Sequence, residues 1–76
     1  MHDEREMSWS KSVYSSHVDT VGYDSETNEL LITWKNGKVS AYEGVDEATA
    51  NQVANAPSVG QMLHSEIKNS YRHRYR

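Results

Sequence analysis

Aromatic and basic residues alternate at the C-terminal end of the chain, over residues 71–76. Arginine neutralises phosphate and tyrosine stacks on bases, so this pattern is typical of a segment that binds single-stranded nucleic acid. We predict a nucleic-acid partner, with RNA as the expected form. The alternative is a solvated tail in which Tyr71 packs in the core. The predicted contact residues of this region are Lys68, Arg72, Arg74, Tyr75 and Arg76.

Histidine and hydroxyl side chains offer the other chemistry in this sequence. The four histidines are far apart, none is four residues from another, and the chain has no cysteine, so the spacing does not fit a metal site. Ser16, His17 and Asp19 have the residue types of a catalytic triad. Neighbours in a strand alternate between faces, however, and cannot form a relay. We therefore expect no metal, no cofactor and no enzymatic activity.

Charge is distributed unevenly along the chain, whose formal net charge is −3. Residues 1–63 carry four Lys or Arg against ten Asp or Glu, whereas residues 64–76 carry four against one. Such asymmetry can mark a partner surface. The basic end favours nucleic acid. The acidic body favours a second class of function, a protein-interaction module that docks on a larger protein.

A length of 76 residues allows one small domain. We assign residues 1–12 to a mobile N-terminal arm, 13–72 to a single domain and 73–76 to a basic tail. No apolar run is long enough to span a membrane, and the charged start is not typical of a secretory signal, so we expect a cytoplasmic location. Apolar burial barely exceeds the entropic cost of folding at this size, which leaves a homodimer open.

A β-hairpin is the clearest of the elements that must position these side chains. Two β-rich runs within residues 29–43 flank Asn36-Gly37, a strong signal for a two-residue type I′ turn. That turn would place Tyr42 opposite Leu31, on the outer face of the sheet. There Tyr42 could stack on a base, or it could be an ordinary strand tyrosine packed on Leu31.

One further strand and two helices complete the predicted elements. Residues 13–24 are rich in β-branched and aromatic residues, with a bulge expected near Asp19. Asp46 and Ser58 are predicted to cap the two helices. Strands grouped before helices predict an α+β fold, a three-stranded antiparallel sheet (β-β-β) followed by two helices packed on one face. The apolar stripe of the second helix is Val59, Met62, Leu63, Ile67 and Tyr71.

Several short motifs follow one another over about residues 13–72, among them Val21-Gly22-Tyr23-Asp24, Asn36-Gly37 and Ala56-Pro57-Ser58-Val59-Gly60. Taken in order, they resemble the KTSC domain family. That family is named for the C-terminal end of some lysyl-tRNA synthetases, and it also occurs as short stand-alone proteins in bacteria and phages. The resemblance implies an RNA-binding role, which has been proposed for the family. The family's Tyr-x-Tyr in the third strand reads Ser40-Ala41-Tyr42 here, without the first tyrosine.

These observations together predict a small non-catalytic binding module. Its expected ligand is RNA or another single-stranded nucleic acid, contacted by the basic-aromatic C-terminus and by Tyr42. The alternative is a phage or bacterial accessory or inhibitor protein that docks on a larger protein.

Overall fold

The computed structural model describes residues 9–76, which form an antiparallel sheet packed against helices. The strands lie side by side in sequence order, and each pairs with the next in antiparallel fashion. The helical elements connect the fourth strand to the fifth. The elements are β1 (Trp9–Ser12), β2 (Val18–Asp24), β3 (Glu29–Trp34), β4 (Val39–Glu43), α1 (Glu47–Ala54), α2 (Val59–Met62), a π-helical turn (Leu63–Ile67) and β5 (Arg72–Tyr75).

Five strands form this sheet, so the predicted three-stranded sheet is wrong, although the α+β class holds. The additional strands are its two edges. β1 lies within the predicted arm, and the Trp9 ring stacks on Tyr23 at 6.1 Å while its Nε1–H donates to Glu47 Oε2 at 3.1 Å. β5 includes most of the predicted tail and pairs with β4. Residues 1–8 of the predicted arm lie outside the described residues.

The predicted bulge in β2 is confirmed. Val18 pairs with Trp34 and Thr20 pairs with Thr33, so Asp19 is the extra residue. The bulge brings Val18 and Val21 to the same face, where both are fully buried.

The β3–β4 hairpin has a three-residue loop instead of the predicted two-residue turn. The Trp34 N–H donates to the Lys38 carbonyl at 2.8 Å, and the Gly37 N–H donates to the Trp34 carbonyl at 2.9 Å. Within the loop only Gly37 has a positive φ, +93°, as in a type I turn followed by a glycine bulge. The longer loop moves the register by one residue, and Tyr42 pairs with Leu30.

The shifted register changes the face on which Tyr42 lies, because a one-residue slip exchanges the two faces of a strand. Tyr42 is 6% exposed and belongs to the core beneath the helices. Its predicted position on an outer face is therefore wrong.

Side-chain caps begin both helices as predicted. Asp46 Oδ1 accepts from the Thr49 N–H at 3.3 Å, and Ser58 Oγ accepts from the Gln61 N–H at 3.4 Å. These bonds satisfy amides that have no partner within a first helical turn.

The second helix widens and ends earlier than predicted. Its last turn is π-helical, since the Lys68 N–H donates to the Leu63 carbonyl at 2.8 Å, and the chain then turns into β5. No helix within residues 9–76 is long and apolar enough to cross a lipid bilayer. The predicted apolar stripe is confirmed as core: Val59, Leu63 and Ile67 are buried, and Met62 and Tyr71 pack against them.

Two glycine substitutions should change stability in opposite directions. Gly37→Ala places a side chain at φ +93°, in otherwise open space, so we expect a loss of about 1–2 kcal/mol from backbone strain alone. Gly60→Ala, within α2 and also facing open space, should gain about 0.5–1 kcal/mol. Urea unfolding of both variants measures the difference. Equal effects of the two substitutions would contradict the loop geometry described above.

Candidate functional site

The last strand divides the C-terminal side chains between two faces of the sheet. His73 and Tyr75 pair with Tyr42 and Ser40 of β4, on the face that the helices cover. The arginines of the same segment alternate with them and lie on the opposite face. The structure therefore separates the aromatic residues of this segment from its arginines.

On the arginine face, three carboxylates form a row across neighbouring strands. Asp24 of β2 pairs with Glu29 of β3, and Glu29 pairs with Glu43 of β4. Like charges directly opposite each other destabilise a sheet, and Glu29 is only 3% exposed, so this row requires cations.

Two arginines at the end of the chain supply those cations. Arg74 Nη2 donates to Glu29 Oε2 at 2.8 Å, and its Nε lies 3.3 Å from Glu43 Oε2. Arg76 Nη2 lies 3.3 Å from Glu29 Oε1 and 3.8 Å from Asp24 Oδ2. Both predicted contact residues are therefore counter-ions of the acidic row in this structure.

A groove of about 920 Å³ lies on the other face, where the helices meet β4 and β5. Three of the predicted contact residues line it, namely Tyr42, Lys68 and Tyr75. Its other walls come from the β1–β2 loop and from the start of the second helix. Arg72, Arg74 and Arg76 are not among its lining residues.

Aromatic rings form a chain along the sheet wall of the groove. The rings of Tyr42 and His73 have centroids 5.0 Å apart, and those of His73 and Tyr75 are 4.8 Å apart in an edge-to-face contact. Lys38 Nζ lies 5.6 Å from the centroid of the Tyr75 ring. Tyr75 and Tyr14, the two large apolar side chains that are well exposed within residues 9–76, both line this groove.

Burial raises the pKa of the Tyr42 phenol, and the neighbouring Tyr75 raises that pKa further. A raised pKa favours the protonated phenol, so the Tyr42 hydroxyl keeps its hydrogen-bond donor well above neutral pH. The wall therefore presents a neutral hydroxyl beside its aromatic rings.

The groove lining contains basic side chains and, within residues 9–76, no acidic ones. The basic residues of the lining are Lys68, His17, His64 and His73. Among residues 9–76 no aspartate or glutamate lines the groove, although the chain has a net charge of −3. An arrangement of this kind favours an anionic ligand.

Metal binding finds no support in the described part of the chain. Within residues 9–76 no three His, Asp or Glu side chains are grouped so that they could hold a metal ion. Ser16 Oγ lies 3.3 Å from His17 Nδ1, but none of the carboxylates in the described part of the chain lines the groove to orient that imidazole.

Sequence reasoning did not find the groove residues His17, Trp34, Ser40, His64 and His73. One available signal was the strict alternation of aromatic and arginine over residues 71–76, which is the period of a strand. Treated as a strand, this segment separates its tyrosine and histidine from its arginines. Treated as the end of a helix, the same segment does not separate these two sets of side chains.

Comparison with known proteins places this architecture in a family. The family model of the KTSC domain matches residues 14–71. The chain belongs to the KTSC domain family. The crystal structure of a KTSC domain protein from Yersinia pestis is 28% identical, with a TM-score of 0.76 over 87% of this chain and 93% of that one. No curated protein matches the chain.

The KTSC match includes only part of the groove. Tyr42 and Lys68 lie within the matched residues, whereas His73 and Tyr75 of β5 come after them. The groove of this KTSC protein is thus completed by side chains outside the matched segment.

Removing the buried carboxylate of the acidic row should weaken the sheet. Glu29→Gln removes the charge that Arg74 and Arg76 share, and we expect a loss of about 1–3 kcal/mol in the free energy of unfolding. Glu43→Gln is the matched control, since Glu43 is 40% exposed and should contribute below about 1 kcal/mol. Chemical denaturation, with hydrogen exchange of the β5 amides, measures both. If the two variants unfold alike, Glu29 does not hold β5.

Proposed function

We propose that this KTSC protein is a non-catalytic module that binds single-stranded nucleic acid in the groove, with RNA as the expected ligand. The composition of the lining carries the proposal. The lining contains one lysine and three histidines, four Tyr or Trp residues and, among residues 9–76, no acidic residue. Phosphates bind the first set and bases stack on the second.

Tyr75 is suited to stack on a base because its ring is exposed and held in place. The side chain is 65% exposed, while His73 contacts the ring and Lys38 lies near one of its faces. A ring that is already positioned loses little conformational freedom when a ligand binds. Tyr14, fully exposed on the β1–β2 loop, supplies a second ring at the same groove.

Lys68 is the side chain to which we assign the phosphate contact. It is exposed, it lines the groove, and within residues 9–76 it forms no ion pair. Arg74 and Arg76 differ in this respect, since a phosphate that engaged them would compete with the buried carboxylate of Glu29. Leaving that carboxylate without its partners would be costly. The proposal therefore gives both arginines a structural role.

Binding without catalysis is part of the proposal. The Ser16–His17 pair resembles two members of a triad, but the groove lacks the carboxylate that would orient the imidazole as a general base. Phosphate contacts and stacking need no such group.

A pair of charge-removing substitutions tests the proposed site. Lys68→Gln should weaken binding of a fluorescent single-stranded oligonucleotide and reduce the slope of log affinity against log salt by about 0.7. Arg72→Gln removes the same charge four residues away, on the opposite face, and should leave both quantities unchanged. Tyr75→Ala should cost about 1–3 kcal/mol of binding free energy through lost stacking. Fluorescence anisotropy with RNA and DNA oligonucleotides, at several salt concentrations, measures all three.

Two results would contradict the proposed function. If Arg72→Gln weakens binding as much as Lys68→Gln, the ligand is not confined to the groove. If the parent protein binds neither RNA nor DNA at low salt, nucleic-acid binding is excluded, and a protein-interaction module becomes the better interpretation.

A further inference from the structure

Two hydroxyl groups on β4 lie at the floor of the groove. Ser40 and Tyr42 are two residues apart on one strand, so both side chains face the helices, and they are 1% and 6% exposed. Ser40 Oγ accepts from Trp34 Nε1–H at 2.7 Å. Within residues 9–76 no acceptor takes the Ser40 hydroxyl proton, and the Tyr42 hydroxyl has no hydrogen-bond partner.

The unused donor of Tyr42 contrasts with the other buried tyrosine in the core. The Tyr23 hydroxyl lies 2.7 Å from the Val45 carbonyl oxygen, to which it donates, and 3.2 Å from Asn28 Oδ1. Nearly all buried polar groups in folded proteins have such a partner, because an unpaired one destabilises the fold. Exceptions of this kind are concentrated at functional sites, where a ligand completes the bonding.

We infer that Ser40 and Tyr42 recognise the edge of a nucleobase that enters the groove. This inference rests on the proposed function and specifies the part of the ligand that the groove floor binds. Each hydroxyl donates its proton to an acceptor on the base, a carbonyl oxygen or a ring nitrogen. The ligand is therefore a base-bearing strand. A strand without bases, held by its phosphates at Lys68, would place no base acceptor at the floor and would leave both donors unused there.

The surroundings of the two hydroxyls favour donation to a ligand. Ser40 already accepts one hydrogen bond from Trp34, and a hydroxyl that accepts a bond donates a stronger one. Phosphate contacts at Lys68 and base contacts at the floor also lie on different elements, the end of the second helix and β4. A base at the floor and a backbone at the rim would therefore contact different elements.

Phenylalanine substitutions at the two buried tyrosines test this inference as a matched pair. Tyr42→Phe removes an unpaired hydroxyl, so its melting temperature should equal or exceed that of the parent. Tyr23→Phe removes a paired hydroxyl and should lower the melting temperature. Binding of each variant is then measured with an RNA oligonucleotide and with a ribose-phosphate oligomer of equal length that lacks bases.

The ratio of the two affinities is the decisive quantity, because a general loss of stability does not change it. We expect Tyr42→Phe to reduce the preference for the base-bearing strand about 3- to 10-fold. Ser40→Ala should reduce this preference similarly, although it also leaves the Trp34 indole unpaired. Tyr23→Phe should leave the preference unchanged.

The possible outcomes separate this inference from the proposed function. If the parent prefers the base-bearing strand and Tyr42→Phe retains that preference in full, the base-reading role is wrong while nucleic-acid binding stands. If the parent binds both oligomers equally well, the groove recognises only the sugar-phosphate backbone, and the inference is overturned. If the parent binds neither oligomer at low salt, the proposed function is wrong, and the inference that rests on it is wrong as well.

Discussion

The buried carboxylate of Glu29 lies at the centre of an acidic row that spans three strands. Such a row is stable only with cations beside it, and the last strand supplies them as Arg74 and Arg76. Because side chains alternate along a strand, fixing these arginines on one face fixes His73 and Tyr75 on the other. The ion pairs that hold β5 in place thereby also complete the wall of the groove.

In the proposed function, stability and ligand binding use opposite faces of one short strand. On the arginine face, the charges of Arg74 and Arg76 are paired within the chain, with the carboxylates of the acidic row. Within residues 9–76 the groove face is incomplete in two respects. Its lysine has no acidic partner in the lining, and its floor holds hydroxyl donors without acceptors. A nucleotide has both missing components, a phosphate and a base with acceptor atoms. This complementarity connects the proposed binding of nucleic acid with the inferred recognition of a base at the groove floor.

Local signals predicted much of this fold. The bulge at Asp19, the caps Asp46 and Ser58, and the apolar stripe of the second helix each follow from chemistry within a few residues. The face of Tyr42 could not be predicted in that way. Asn-Gly fits both a two-residue turn and a three-residue loop, and choosing between them depends on how the whole sheet packs. β5 was missed because its pairing partner, β4, is some thirty residues earlier in the chain, and a basic end also fits the last turn of a helix.

The two tryptophans of the chain allow a direct test of whether the ligand binds in the groove. The Trp34 indole N–H lies at the groove and donates to Ser40, whereas the Trp9 indole N–H lies at the β1 edge and donates to Glu47. Each gives its own indole signal in a ¹H–¹⁵N correlation spectrum. When a single-stranded RNA oligonucleotide is added at low salt, we expect the Trp34 signal to shift in proportion to binding while the Trp9 signal stays in place. If anisotropy shows a complex but the Trp34 signal does not move, the claim that the ligand binds in the groove is contradicted.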